Sequence, residues 1–170
     1  MAKGDLKIVD LGGRVNPVVR SFFVPSGKGA IKSGEPVRIA HEAAAGVGLY
    51  VVPLEDNRPL TTNTYFLGIA ASDASHTSSA NGRVDVYLDL DGQVYGAAPK
   101  TADAANSRVK IDSYMFYRIV IDLTSGKYTA DLASDDQTRG FIVVGGDPDN
   151  DQVHFVCVSD VSWRGRTRNV

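Results

Sequence analysis

Between Arg83 and Leu90 the chain alternates without a break: Val84, Val86, Leu88 and Leu90 fall at every second position, with Asp85, Tyr87 and Asp89 between them. A period of two puts one set on each face of a strand, and no helix accommodates that pattern. Asp91-Gly92 follows at once and leads into Gln93-Val94-Tyr95. An Asp-Gly pair supplies the positive φ angles that a tight hairpin turn demands, so strand, turn and strand are all predicted here.

The same grammar recurs along the chain. Apolar or alternating runs are predicted strands at residues 18–24, 36–40, 48–52, 65–70, 83–90, 114–123, 127–132, 141–144 and 152–158. Ser26-Gly27, Ser33-Gly34-Glu35-Pro36, Asn81-Gly82, Ser125-Gly126 and Gly145-Gly146-Asp147-Pro148 punctuate them where the chain must reverse. Residues 109–123 show no clear period, and their β-branched and aromatic content favours a hairpin strand. Short strands at near-regular spacing predict an all-β fold, a small β-barrel or sandwich. At 170 residues the chain is long enough to bury a core without metal or disulfide staples.

Composition narrows the function classes. A net charge of −2 gives no basic field for nucleic acid or anionic lipid. No run approaches the roughly 18 apolar residues of a membrane helix, and residues 1–14 lack the apolar stretch of a signal peptide, so the chain is expected to be soluble and made in the cytoplasm. The single Cys157 lies in the apolar run Val153–Val158 and is expected to be a buried strand thiol.

Three spots invite a chemical reading. Asp85, Asp89 and Asp91 form an acidic stripe, but residues two apart in a strand stand about 7 Å apart, so one strand cannot close a calcium cage. A solvated strand face is expected instead. Asp147-Pro148-Asp149-Asn150-Asp151 begins like an EF-hand loop and then breaks, with Gln152 where Gly belongs and Val158 where the bidentate Glu belongs. A plain turn is expected. Ser72-Asp73-Ala74-Ser75-His76 holds the residue types of a hydrolase triad without the spacing from which triads are assembled. With three scattered histidines and one cysteine no zinc pattern exists. No catalytic residue, metal or cofactor is assigned, and the chain is not expected to be an enzyme.

Four segments are expected: residues 1–16 as an N-terminal arm, 17–100 as a β-barrel domain, 107–163 as a second β unit or a continuation of the same domain, and 164–170 as a basic tail. The connector Thr101–Asn106 is small and polar, and Arg164, Arg166 and Arg168 place three like charges within five positions.

The order Ser33-Gly34-Glu35-Pro36-Val37, then Gly68-Ile69-Ala70, a Ser/Thr loop, and Val84-Asp85-Val86 resembles the head decoration, or cement, proteins of tailed bacteriophages. The likeness covers most of residues 17–100. It implies a virion protein without an active site, bound to the major capsid protein on the capsid surface as a homo-oligomer and bridging neighbouring subunits. Contact residues are then expected in the arm (Leu6, Ile8, Val9, Leu11), in the loop (Ser75, His76) and in the tail (Trp163, Arg164, Arg166, Arg168). Competing readings are a tail, baseplate or fibre component, or a carbohydrate-binding module using Tyr87, Tyr95 and Trp163.

Overall fold

The computed structural model describes residues 6–42, 48–54, 65–101, 108–124, 127–132 and 140–157. Within them lie β1 (Lys7–Leu11), β2 (Val19–Val24), β3 (Pro36–Glu42), β4 (Gly48–Pro53), β5 (Tyr65–Ala70), β6 (Gly82–Leu88), β7 (Gln93–Ala97), α1 (Arg108–Ser113), β8 (Arg118–Thr124), β9 (Lys127–Asp131), β10 (Phe141–Asp147) and β11 (Gln152–Cys157). The strands form two antiparallel sheets, one of six strands in the order β1-β7-β11-β10-β8-β9 and one of five in the order β2-β6-β5-β3-β4. The architecture is an all-β sandwich; neither sheet closes into a barrel. No described helix is long and apolar enough to cross a membrane.

Each sheet shelters its own apolar cluster. The five-stranded sheet curls until its edge strands β2 and β4 approach one another. Val24, Val37, Val51, Leu67, Val84 and Val86 fill the concave side, with Ile31 from the β2–β3 loop as a plug. The six-stranded sheet gathers Tyr95, Ile119, Phe141, Val143, Val153 and Phe155, together with Leu54, Phe66 and Ile69 from the other sheet. Phe66 ties the layers, with its ring edge-on to Tyr95 at 5.4 Å and to Phe141 at 5.1 Å. That is why β5 reads as a continuous apolar run: Phe66 faces one cluster and Leu67 the other, so both faces are covered.

Gly68 makes this two-sided strand possible. Its φ is +147°, and a Cβ there would meet the Tyr87 carbonyl oxygen inside contact distance. It sits beside a bulge in which Leu67 is the extra residue against β3, between Val37 and Arg38.

Three sequence expectations need correction. The stretch 1–16 is not wholly an arm: residues 7–11 form β1, antiparallel to β7, and Leu6 is buried in the core at 3 % exposure. Its periodicity is hidden by a bulge at Val9, which shifts the register between Ile8 and Asp10. The boundary near residue 100 does not separate the sheets. β2–β6 are contiguous, but β7 crosses to join β8–β11, and the shared core contains Phe66 and Ile69. The chain therefore changes layer at the Asp89–Gly92 turn, one strand earlier than expected. Finally, 109–123 is not one strand. Residues 108–113 are helical, with Ile111 buried at 1 % exposure, and β8 begins only at Arg118. The helix stops in a turn where the Tyr117 N–H donates to the Tyr114 carbonyl at 3.0 Å and Phe116 takes a left-handed φ of 67°. Six residues, fewer than two turns of helix, are too short to display a period, which is why composition misleads there.

Candidate functional site

The most elaborate polar construction among the described residues joins two loops at one end of the five-stranded sheet: 25–35, between β2 and β3, and 71–81, between β5 and β6. Glycine and serine give both segments freedom in the unfolded chain, so cross-links must hold them. The backbone supplies several. Gly27 N–H donates to the Thr77 carbonyl at 3.0 Å, Ala74 N–H to Ile31 at 3.0 Å, and Gly34 N–H to Ala70 at 2.8 Å.

Side chains supply the rest. Asp73 accepts from the Ser33 N–H at 2.9 Å and pairs with the Lys32 ammonium at 3.0 Å. The Ser33 N–H first, and Lys32 second, hold its carboxyl below the ordinary carboxylate range. Asn81 Oδ1 accepts from the Ser26 N–H at 2.9 Å. The Ser72 hydroxyl accepts from the Asp85 N–H at 3.1 Å, and the Ser75 hydroxyl accepts from the Arg83 N–H at 2.9 Å. His76 Nε2 lies 2.9 Å from the Lys28 carbonyl. A carbonyl can only accept, so Nε2 carries the hydrogen, and Nδ1 is buried with no hydrogen-bond partner among the described residues. Gly82 lets this loop lie flat on β6, since a Cβ there would overlap the His76 backbone nitrogen.

Ser72, Asp73, Ser75 and His76 each bond to backbone or to lysine, and none of the bonds runs between them. A nucleophile needs a base within hydrogen-bond reach and an orienting group behind it. The segment acts as a clasp.

Between the loops opens a cavity of about 330 Å³. Lys28, Lys32, His76, Thr77 and Ser78 line it, with the small apolar side chains of Ala30 and Ala74. The Lys28 ammonium sits 5.1 Å from the centre of the Tyr50 ring, a cation–π distance. Of the loop residues expected from sequence, His76 lines this cavity and Ser75 does not, while Lys28 and Lys32 were not among the expected residues. The signal was present in Ser26-Gly27-Lys28-Gly29-Ala30-Ile31-Lys32, a glycine-rich loop carrying two cations and no acid before Glu35.

The other expected contact residues do not gather at this place. Leu6 is core, Ile8 packs against it, Leu11 is half-buried, and only Val9, 45 % exposed at the bulge, faces outward. Ile8, Val9 and Leu11 lie in β1, an edge strand of the six-stranded sheet, and Leu6 immediately precedes it. Trp163, Arg164, Arg166 and Arg168 lie outside the described residues.

The acidic stripe is also redistributed. Asp85 is exposed, Tyr87 half-buried and Asp89 fully buried, a gradient along one face of β6 and its continuation. That face is the one turned toward the six-stranded sheet, since Tyr87 lies opposite Ile69. Asp89 is therefore not on a solvated face: its carboxylate accepts from the Tyr95 hydroxyl at 2.8 Å while its N–H donates to Leu67 at 2.8 Å. Burial first, and the Asp89 charge second, push both the Tyr95 hydroxyl and the buried Cys157 thiol well above their ordinary values. With Tyr95 in the core, that ring offers nothing to a sugar.

In the β10–β11 turn, Asp147 spends its carboxylate locally. Oδ1 accepts from the Asp149 N–H at 3.1 Å and Oδ2 from Asn150 Nδ2 at 2.6 Å. The Asn150 side chain is the main cause holding its carboxyl below the usual range. Among the described residues no group of three or more His, Cys, Asp or Glu side chains is placed to hold a metal ion. Comparison with family models, curated proteins and solved structures gives no match.

Proposed function

We propose that this chain is a structural virion protein that binds the outside of an assembled phage capsid and stabilises it by bridging neighbouring major capsid subunits. The observation that supports this reading is the clasped pair of loops: polar side chains there hold a surface in shape and leave no nucleophile–base pair. A rigid loop platform on a two-layer sandwich loses little conformational freedom on docking, and the benefit repeats over many copies. A standard contact buries about 800 Å² per partner, so two loops of this length need help from a neighbouring surface or a second subunit contact.

The test is particle stability. Phage particles lacking this chain are expected to assemble, to lose their genome at lower temperature than complete particles, and to regain resistance when the purified protein is added back. Its presence only on tails, or unchanged head stability in its absence, moves the assignment to a tail, baseplate or fibre component.

A further inference from the structure

We infer that the cavity between the two loops is a receptor for a carboxylate carried on a short aliphatic stem. The lining carries this inference. Among the described residues it contains two lysines, a histidine and two hydroxyl side chains, and no acidic residue, although the whole chain has a net charge of −2. Asp73, the nearest acid in the clasp, is not part of the lining; it anchors Lys32 from outside at 3.0 Å. An ammonium has three donors, and Lys32 spends one on Asp73. Thr77 Oγ1 accepts from the Ala80 N–H at 3.0 Å, which leaves its own hydrogen to give, and Ser78 adds a second hydroxyl. The mouth is thus rich in donors.

The cations are also placed in advance. The Lys28 ammonium rests over Tyr50, and its carbonyl is bonded to the His76 ring at 2.9 Å, so the residue is held at both ends. Lys32 is fixed through Asp73, which is itself bonded to the Ser33 N–H. Groups already ordered before binding lose less entropy on binding. Beside them Ala30, exposed, and Ala74, half-buried, give an apolar wall on which methylene groups can rest. Phosphate would use the donors and leave this wall empty. A volume of about 330 Å³ is at the small end of ligand sites and suits a single acidic side chain or a small dicarboxylate.

This inference deepens the proposed function, resting on it only for the source of the carboxylate: on a shell, an aspartate or glutamate side chain of the capsid subunit. The experiment therefore has two arms. In the first, the full-length isotope-labelled chain is titrated with glutarate, and separately with inorganic phosphate, while amide resonances are followed. Saturable shifts confined to residues 26–33 and 73–79 are expected with glutarate at millimolar affinity. Lys32→Gln should weaken them about tenfold, as losing a charged hydrogen bond does. Lys28→Glu should abolish them, with melting temperatures of both variants near that of the parent. No saturable shift up to about 50 mM glutarate, or equal binding of phosphate at the same amides, overturns the inference.

In the second arm, purified parent and Lys28→Glu proteins are added to particles lacking the chain. Loss of binding by the variant supports the capsid carboxylate as occupant. If the variant binds shells normally yet fails with glutarate, the capsid assignment of the carboxylate is overturned and the site for a free carboxylate stands. If the parent binds glutarate but no shell, the proposed function fails while the cavity assignment survives.

Discussion

Replacing Tyr95 with phenylalanine removes one hydroxyl from a place where water cannot substitute for it. Tyr95 and Asp89 are both at 0 % exposure, and the hydroxyl donates to the Asp89 carboxylate at 2.8 Å. The substitution is close to isosteric, so the ring keeps its edge contact with Phe66 at 5.4 Å and its stacking on Phe155 at 6.1 Å, and no cavity opens. What is lost is a hydrogen bond to a charged, desolvated acceptor, worth about 1.5–3 kcal/mol. For a domain of this size each kcal/mol moves the melting temperature by about 2–4 °C, which predicts a fall of about 3–12 °C for Tyr95→Phe. The assay is thermal and urea unfolding of both proteins, with the Asp89→Asn single and double variants completing a cycle. In the double variant the Tyr95→Phe cost should shrink, because a neutral amide suffers less from losing the donor. A shift of less than about 1 °C for Tyr95→Phe, or full additivity in the cycle, would refute the view that this pair is a coupled, buried bond.

The same burial predicts alkaline lability. The folded-state values of Tyr95 and Cys157 are raised above their ordinary 10.0 and 9.0, so their contribution to stability is complete below about pH 9 and is lost as pH rises toward the folded values. Unfolding midpoints should decline from about pH 9 upward, and Cys157→Ala should remove the earlier part of that decline. Gly68→Ala should cost at least about 3 kcal/mol, because the new Cβ collides with the Tyr87 carbonyl and the φ of +147° is hostile to it; a soluble variant with unchanged melting temperature would contradict the register around β5. Deleting residues 1–16 removes β1 and Leu6, whose burial alone is worth about 2–3 kcal/mol, so the truncated protein should melt well below the parent. An unchanged melting temperature would return that segment to the status of a detachable arm.

The fold class was legible because its signals are local and redundant. The alternation of Val84, Val86 and Leu88 needs no knowledge of the rest of the chain, and Asp91-Gly92 turns where it must, with Gly92 at a φ of 77°. Other facts were hidden because they are decided between distant elements. Asp89 obeys the period of two, yet nothing in its neighbourhood says that its face is covered by the other sheet near Tyr95 and open near Asp85. The strand at residues 7–11 breaks its own alternation with a bulge, so it reads as an arm until its partner β7 is seen. In the candidate site, a Ser/Thr-rich loop announces exposure. That Ser72 and Ser75 would be consumed by the backbone of β6, and Asp73 by the β2–β3 loop, follows only from how the 71–81 loop folds back on its neighbours.

The edges of the two sheets bear on where a partner can attach. An unpaired strand edge invites strand addition from another chain. Here one edge of the six-stranded sheet is already occupied: beyond β9, the Ala130 N–H donates to the Ala98 carbonyl at 2.8 Å and the Lys100 N–H to the Ala130 carbonyl at 2.8 Å. The opposite edge, β1, is short and carries the Val9 bulge, which twists a strand away from flat pairing. In the five-stranded sheet the edges β2 and β4 curl toward each other. With its edges blunted in these ways, the sandwich resists open-ended sheet growth. Under the proposed function, partner contact would fall to loops, and the pair 25–35 and 71–81 is held in shape by bonds to each other and to β6. That makes Lys28→Glu a sharper test of shell attachment than any substitution on a strand edge, since it alters the presented surface without entering either core.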